Sequence, residues 1–299
     1  MKKWIWIAVV LVALYLVASI VALIGFGSRN SFEDKIVIVP LEGVITTTGD
    51  GGALGGFGIS STQTIKYLKE LKDDNSVKGV IFEINSPGGT VVASQEISDA
   101  VKNLNKTNYA VIREVGASGG YWIASSSDKI YVSPMSITGS IGVIGSYLEF
   151  SGLFEKYGVD YERLVAGEKK DIGTPYRDLK AEERLLLETK LGKIHEFFIR
   201  EVAENRNMDV EDVRNLATGE FYLGQEAFEL GLVDQFGNTE KAVEEMKTQL
   251  NITDVDVVTH TRELSLFDIL SGRVAYQFGR GFGDSVVSYK IEDNFNFIA

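Results

Sequence analysis

Two stretches of this chain repeat one local design, and that repetition limits the fold more than any other feature. Val77 to Ile84 is a β-branched run that reads as a strand, and Asn85-Ser86-Pro87-Gly88-Gly89-Thr90 turns it into a helical stretch ending near Leu104. Tyr109 to Val115 reads as a second strand, and Gly116-Ala117-Ser118-Gly119-Gly120 turns it into the apolar opening of a helix at Tyr121-Trp122-Ile123-Ala124-Ser125. Gly88 and Gly119 are 31 residues apart. Parallel strands joined by a helical crossover need about that length. Two such units in tandem call for an α/β fold with both glycine turns at the same end of a sheet.

Ser118 sits where the second strand becomes a helix. The first N–H groups of a helix have no intrahelical partner and the dipole there is positive. A nucleophile at that point would have donors beside it for the oxyanion its attack creates. The simpler reading is a glycine turn with Ser118 as an N-cap, and nothing local to the stretch overrides it.

The wider sequence narrows the chemistry. With 299 residues the chain can bury a large core. The net charge is −12, and Lys2, Lys3 and Arg29 are the only charged residues up to position 30, so the remainder carries −15. That balance argues against a nucleic-acid partner. No cysteine is present, which removes thiol catalysis, disulfides and Cys-ligated zinc and leaves the compartment open. His195 and His260 are the only histidines, one within a helical stretch and one at a strand end. Both read as structural. A serine hydrolase without a histidine needs another base, and lysine is the known substitute, provided burial makes it neutral.

Trp4 to Gly27 is 24 residues without a charge, long enough to cross a hydrocarbon core as a helix. A signal peptide has a shorter apolar core, so an uncleaved anchor is expected, with Lys2 and Lys3 on the cytoplasmic side and the remainder outside. Residues 1–30 are thus read as a transmembrane anchor, 31–250 as the globular domain, and 251–299 as a C-terminal strand and tail. Asp50 to Gly58 holds five glycines but matches no phosphate-binding pattern, so it reads as a surface loop. Further strands are expected over Lys35–Ile45, Lys129–Val132, Val159–Val165 and Asp254–Val258. Helices are expected over Ser61–Leu71, Leu179–Asn205, Met208–Ala217, Gln225–Gly231 and Thr239–Leu250. In the long one, Leu186, Leu187, Leu191, Ile194, Phe198 and Val202 form an apolar stripe.

Four motifs occur in order: Asn85-Ser86-Pro87-Gly88-Gly89, Ala117-Ser118-Gly119-Gly120-Tyr121, Thr138-Gly139-Ser140-Ile141-Gly142-Val143 and Lys170-Asp171-Ile172-Gly173-Thr174-Pro175. Together they resemble the signature of the signal peptide peptidase A family in its half-length, single-repeat form, over about residues 36–245. The resemblance implies a Clp protease/crotonase-like ββα superhelix with an N-terminal transmembrane helix. It implies Ser118 as nucleophile, Lys170 as general base, Gly89 and Gly119 as oxyanion N–H donors, and Ser140 as the group orienting the lysine. Lys169 is a rival base; the Lys-Asp-Ile register favours Lys170.

On this resemblance the chain is a membrane-anchored serine endopeptidase with a Ser-Lys dyad, at the cell membrane with its catalytic domain outside the cytoplasm. Its partners would be peptides, namely cleaved signal peptides and other membrane-released segments. It would need no metal or cofactor, and would form a homo-oligomeric ring with the dyad shared between protomers. A crotonase-like enzyme acting on acyl-CoA thioesters and a non-catalytic membrane scaffold are the alternatives, opposed by the anchor and Ser-Gly-Gly motif in one case and by the intact Ser118 and Lys170 in the other.

Overall fold

The computed structural model describes residues 11–19, 34–49 and 58–260. The expected anchor lies mostly outside these residues. Residues 11–19 are helical, and among the described residues no helix is long and apolar enough to cross a membrane. The glycine-rich loop from Asp50 and the tail from Leu264 also fall outside, apart from Gly58.

The sheet follows from the tandem units. Five strands lie parallel in one layer: β1 (Lys35–Glu42), β4 (Val77–Ser86), β5 (Thr107–Ala117), β6 (Lys129–Val132) and β10 (Asp256–Thr259). Strand β9 (Gln235–Phe236) extends the layer beyond β6, giving the order β10-β1-β4-β5-β6-β9. A side branch, β7 (Ile137–Gly139), runs parallel to the end of β5 and takes β8 (Phe221–Leu223) antiparallel. Two short strands, β2 (Ile45–Thr46) and β3 (Ile59–Ser60), pair separately. The result is an α/β protein with a parallel-dominated sheet.

Both faces of that sheet are covered, which is why β1 is not the half-buried alternating strand its Val37, Val39 and Leu41 suggest. Those three join the larger core with Phe82, Ile84 and Ile112, while Ile36 and Ile38 face the other side with Ile81, Tyr109 and Tyr131. Helices α1 (Ser61–Asp73), α2 (Val91–Lys102) and α3 (Gly119–Ser125) lie on the first face. A C-terminal helix, Thr239–Leu250, seals the second through Ala242, Val243 and Met246.

The expected strand over Val159–Val165 does not form. The segment is exposed coil after a short helix, α4 (Ser151–Tyr157), and no strand of the sheet lies beside it. A segment without a ladder partner must find other partners for its backbone groups, as Val159 N does at the Phe154 carbonyl, 2.9 Å away. The long helix does form, as α5 (Ala181–Arg206), yet its buried apolar residues, Phe198, Ile199, Val202 and Ala203, all lie in its C-terminal half. Its earlier leucines stay partly exposed.

The two glycine turns meet side by side. Ser86 Oγ donates to the Gly43 carbonyl at 2.7 Å and accepts from Gly88 N at 3.1 Å. Ile45 N donates to the Gly88 carbonyl and Thr90 N to the Ile45 carbonyl, both at 2.9 Å. Gly88 has φ +99°, and a Cβ there would stand 2.7 Å from Gly119 N and 2.9 Å from Ser118 Cβ. Gly88→Ala should therefore cost about 1–3 kcal/mol of stability from backbone strain, before any clash is counted. Urea unfolding of Gly88→Ala beside Gly89→Ala and the parent would measure it, and parental stability for Gly88→Ala would contradict the close approach.

Candidate active site

Ser118 is the junction between β5 and α3, and it has an unusual backbone for a residue with a side chain, φ 52° and ψ −122°. Such a conformation is costly and persists only where surrounding bonds enforce it. Here Ser118 N donates to the Gly139 carbonyl at 2.8 Å, and the Ser118 carbonyl accepts from Trp122 N at 2.9 Å. The strand arrives, turns sharply and enters the helix within one residue. Ser118 remains half-buried at the turn, and no described residue hydrogen-bonds its Oγ. It is not the side-chain N-cap of the simpler reading.

A cleft of about 590 Å³ opens at this turn. Ser118, Gly89, Gly119 and Ser140 all line it, so four of the five residues picked from the sequence meet in one place. Among the described residues neither Gly89 N–H nor Gly119 N–H donates a hydrogen bond, and the Gly119 Cβ position lies 3.3 Å from Gly89 N. Two free donors beside an unbonded serine hydroxyl form the layout an acyl-transfer oxyanion needs. Ser140 also has positive φ, at 50°; its N–H donates to the Glu220 carbonyl at 2.9 Å and its Oγ to the Gly219 carbonyl at 3.1 Å.

The cleft walls combine apolar side chains, among them Trp122, Val143, Ile144 and Phe198, with Ser94, His195 and Thr218. Trp122 stacks on Phe198 with centroids 4.4 Å apart and planes 12° apart. This contact fastens α5 to α3 and carries His195, one turn earlier on the helix, to the cleft wall, where its Nε2 lies 3.1 Å from the Ile141 carbonyl. Sequence reading missed that placement, since 77 residues separate His195 from Ser118 and tertiary contacts between α5 and α3 join them.

Lys170 is elsewhere. It is exposed on a turn after Gly167, makes no side-chain bond to a described residue and does not line the cleft. The turn is fastened by charge. Asp171 takes a two-pronged contact from Arg163 at 2.7 Å and one from Arg177 at 3.0 Å, and Arg177 forks onto Glu183 at 2.7 and 2.8 Å. The arginines hold the Asp171 carboxyl far below the usual range, and Arg177 holds that of Glu183 at about 2. Lys169 is exposed on the same turn.

Comparison with known proteins assigns the chain. The Peptidase family S49 profile matches residues 100–253, and the Clp protease profile matches residues 59–137. A protein of Enterococcus faecium bearing the name signal peptide peptidase SppA is 36% identical over 80% of this chain and 70% of its own length. The chain belongs to peptidase family S49. It is a serine peptidase, and its sheet is consistent with a Clp protease-like fold. Protease 4 of Haemophilus influenzae is 34% identical over 73% of this chain, but over only 35% of that longer protein. The chloroplastic serine protease SPPA of Arabidopsis thaliana is 31% identical over 80% of the chain and 36% of its own length.

Two measurements follow from this geometry. Ser118→Gly should be more stable than Ser118→Ala by about 1 kcal/mol, because glycine adopts φ 52° without strain and recovers more than its chain-entropy cost; the reverse order in chemical unfolding would remove the strain. Glu183 has a lowered carboxyl, so its stabilising effect is complete above the unfolded value near ~4.3 and is lost as pH falls toward about 2. The melting temperature of the parent should drop across that window more steeply than that of Glu183→Gln.

Proposed function

We propose that this peptidase works with a Ser-Lys dyad assembled between two copies of the chain, and that it acts on cleaved signal peptides and other membrane-released segments. The observation carrying the proposal is Ser118, held in a strained turn that lines a cleft beside two unbonded N–H groups. In the reaction Ser118 Oγ attacks the scissile carbonyl and passes its proton to neutral Lys170 Nζ. Gly89 and Gly119 N–H groups hold the oxyanion, and the lysine ammonium then protonates the leaving amine. Water, deprotonated by the same lysine, releases the acyl group. Ser140 Oγ, on the cleft wall, keeps a lone pair to accept a bond from the lysine and aim it.

The split between chains rests on two physical arguments. A lysine must lose roughly 4 kcal/mol of preference for its charged form to act as a base near neutral pH, and desolvation is what supplies this. Lys170 is exposed in the single chain, so a covering surface is required. The same region also carries apolar side chains that nothing among the described residues covers: Ile144 is 91% exposed, Leu164 86% and Leu148 73%. A neighbouring copy would bury both at once, as in a ring of Clp-type subunits. The fold is read as Clp/crotonase-like. The substrate class follows the name borne by the Enterococcus relative and the apolar side chains on the cleft wall, Val91, Trp122, Val143, Ile144 and Phe198. The uncharged stretch Trp4–Gly27 supports a single-pass anchor with the catalytic domain outside the cytoplasm.

Peptide hydrolysis by the full chain, with Ser118→Ala and Lys170→Ala beside it, tests this. Each variant alone should lose at least a thousandfold in kcat/KM, while mixed oligomers of the two should recover part of the parental rate, since each supplies what the other lacks. Turnover near the parental rate in Ser118→Ala would sink the nucleophile. Verified mixed oligomers without recovery would leave the dyad within one chain.

A further inference from the structure

The Lys170 turn has an acid next to its base. A carboxylate beside an ammonium stabilises the charged form, which is the wrong form for a group that must accept a proton. Asp171 follows Lys170 directly, yet it makes no ion pair with it. Arg163 takes Asp171 Oδ1 through Nη2 and Oδ2 through Nε, both at 2.7 Å, and Arg177 Nε adds a second bond to Oδ2 at 3.0 Å. The Asp171 side chain is only 10% exposed.

The clamp is itself anchored. Arg163 Nη2 also donates to the Glu168 carbonyl at 2.7 Å, closing the turn across Lys169 and Lys170. Arg177 forks onto Glu183, which is 3% exposed and takes the Lys180 N–H at 3.0 Å at the start of α5. Two guanidinium groups thus balance two carboxylates. The other charged groups on the turn are Glu168, whose side chain makes no ion pair among the described residues, and Lys169; Lys180 lies beyond Glu183.

We propose that Arg163 and Arg177 are positioning residues for Lys170, which hold the Asp171 carboxylate away from its ammonium so that the lysine is free to give up its proton. This rests on the reading of Lys170 as general base. Arginine suits the task better than lysine, because its planar fork occupies both carboxylate oxygens at once. The arrangement also explains how a polar turn with little apolar cover keeps one shape. Its order comes from α5 through Glu183 and Arg177, together with the packing of the Tyr176 ring on Phe154 and Tyr161 at 5.8 and 5.4 Å.

The pH dependence of kcat/KM on a fluorogenic peptide, measured with the full chain, separates this role from a merely structural one. Arg163→Gln leaves an unbalanced carboxylate beside Lys170 and should move the midpoint up by about half a pH unit to one unit, a loss of about three- to tenfold in kcat/KM on the acid limb. Arg163→Gln with Asp171→Asn restores the charge balance and should return the midpoint to the parental value. Arg163→Lys keeps the charge and should hold that midpoint even if the plateau rate falls. Asp171→Asn alone leaves a surplus positive charge and should lower it, a prediction that survives if Arg163→Gln does not fold. A parental midpoint in Arg163→Gln or in Asp171→Asn would overturn the proposal. Turnover retained by Lys170→Ala would instead overturn the base assignment beneath it.

Discussion

The contact of two backbones at the glycine turns is what the rest of this structure depends on. Gly88 lies so near Ser118 and Gly119 that a methyl group on it would have nowhere to go, and a methyl on Gly120 would stand 2.8 Å from the Ser86 carbonyl. Main chain on main chain at that distance brings Gly89 N and Gly119 N to one side of the turn. Both remain unbonded because the helix that follows cannot use its first N–H groups and the Asn85–Gly89 turn spends its other bonds on Ile45 and Gly43. Unbonded N–H donors of this kind arise from the backbone turns at the ends of two neighbouring parallel strands.

The serine is installed at a cost and the lysine at almost none. Ser118 sits in a backbone region disfavoured by about 1–3 kcal/mol, and the sheet, through Gly139, and α3, through Trp122, overrule that preference. Rigidity there is useful, because an attacking oxygen must meet a carbonyl within a narrow range of approach. Lys170 lies on a turn held by ion pairs and close local bonds at the outer surface. Exposed ion pairs contribute little to stability individually, but a linked set with one end buried at Glu183 fixes a direction. An ion-paired turn permits the outward position that Lys170 takes.

The apolar surface between Ile141 and Val165 fits the same division. Its residues resemble a strand in composition, and a sheet would have absorbed them had an edge been available. β7 instead takes β8 as its partner, and the chain leaves through irregular backbone that keeps Ile144 and Leu148 in solvent. The leading half of α5 is likewise only partly covered. Large apolar areas left exposed on a folded domain mark interaction surfaces, and these, among the described residues, adjoin the Lys170 turn in sequence on both sides.

Much of the fold was legible from residue order alone. Periodicity located β4, β5 and the helices at Ser61, Ala181 and Thr239 because each buries one face or both against a core, and burial writes a pattern into a single segment. The motifs located Ser118, Gly89, Gly119 and Ser140, since turns with strained or close-packed backbone admit few residue types. Three things were decided only in three dimensions. His195 reached the cleft through the stacking of Trp122 on Phe198, a contact across 76 residues with no local signal. Val159–Val165 stayed out of the sheet, because a strand exists only when another strand is there to receive its hydrogen bonds. And the position of the Lys170 turn, away from the cleft, goes with the grip of Arg163, Arg177 and Glu183, ion pairs between residues six and eight apart that leave no burial period in the sequence.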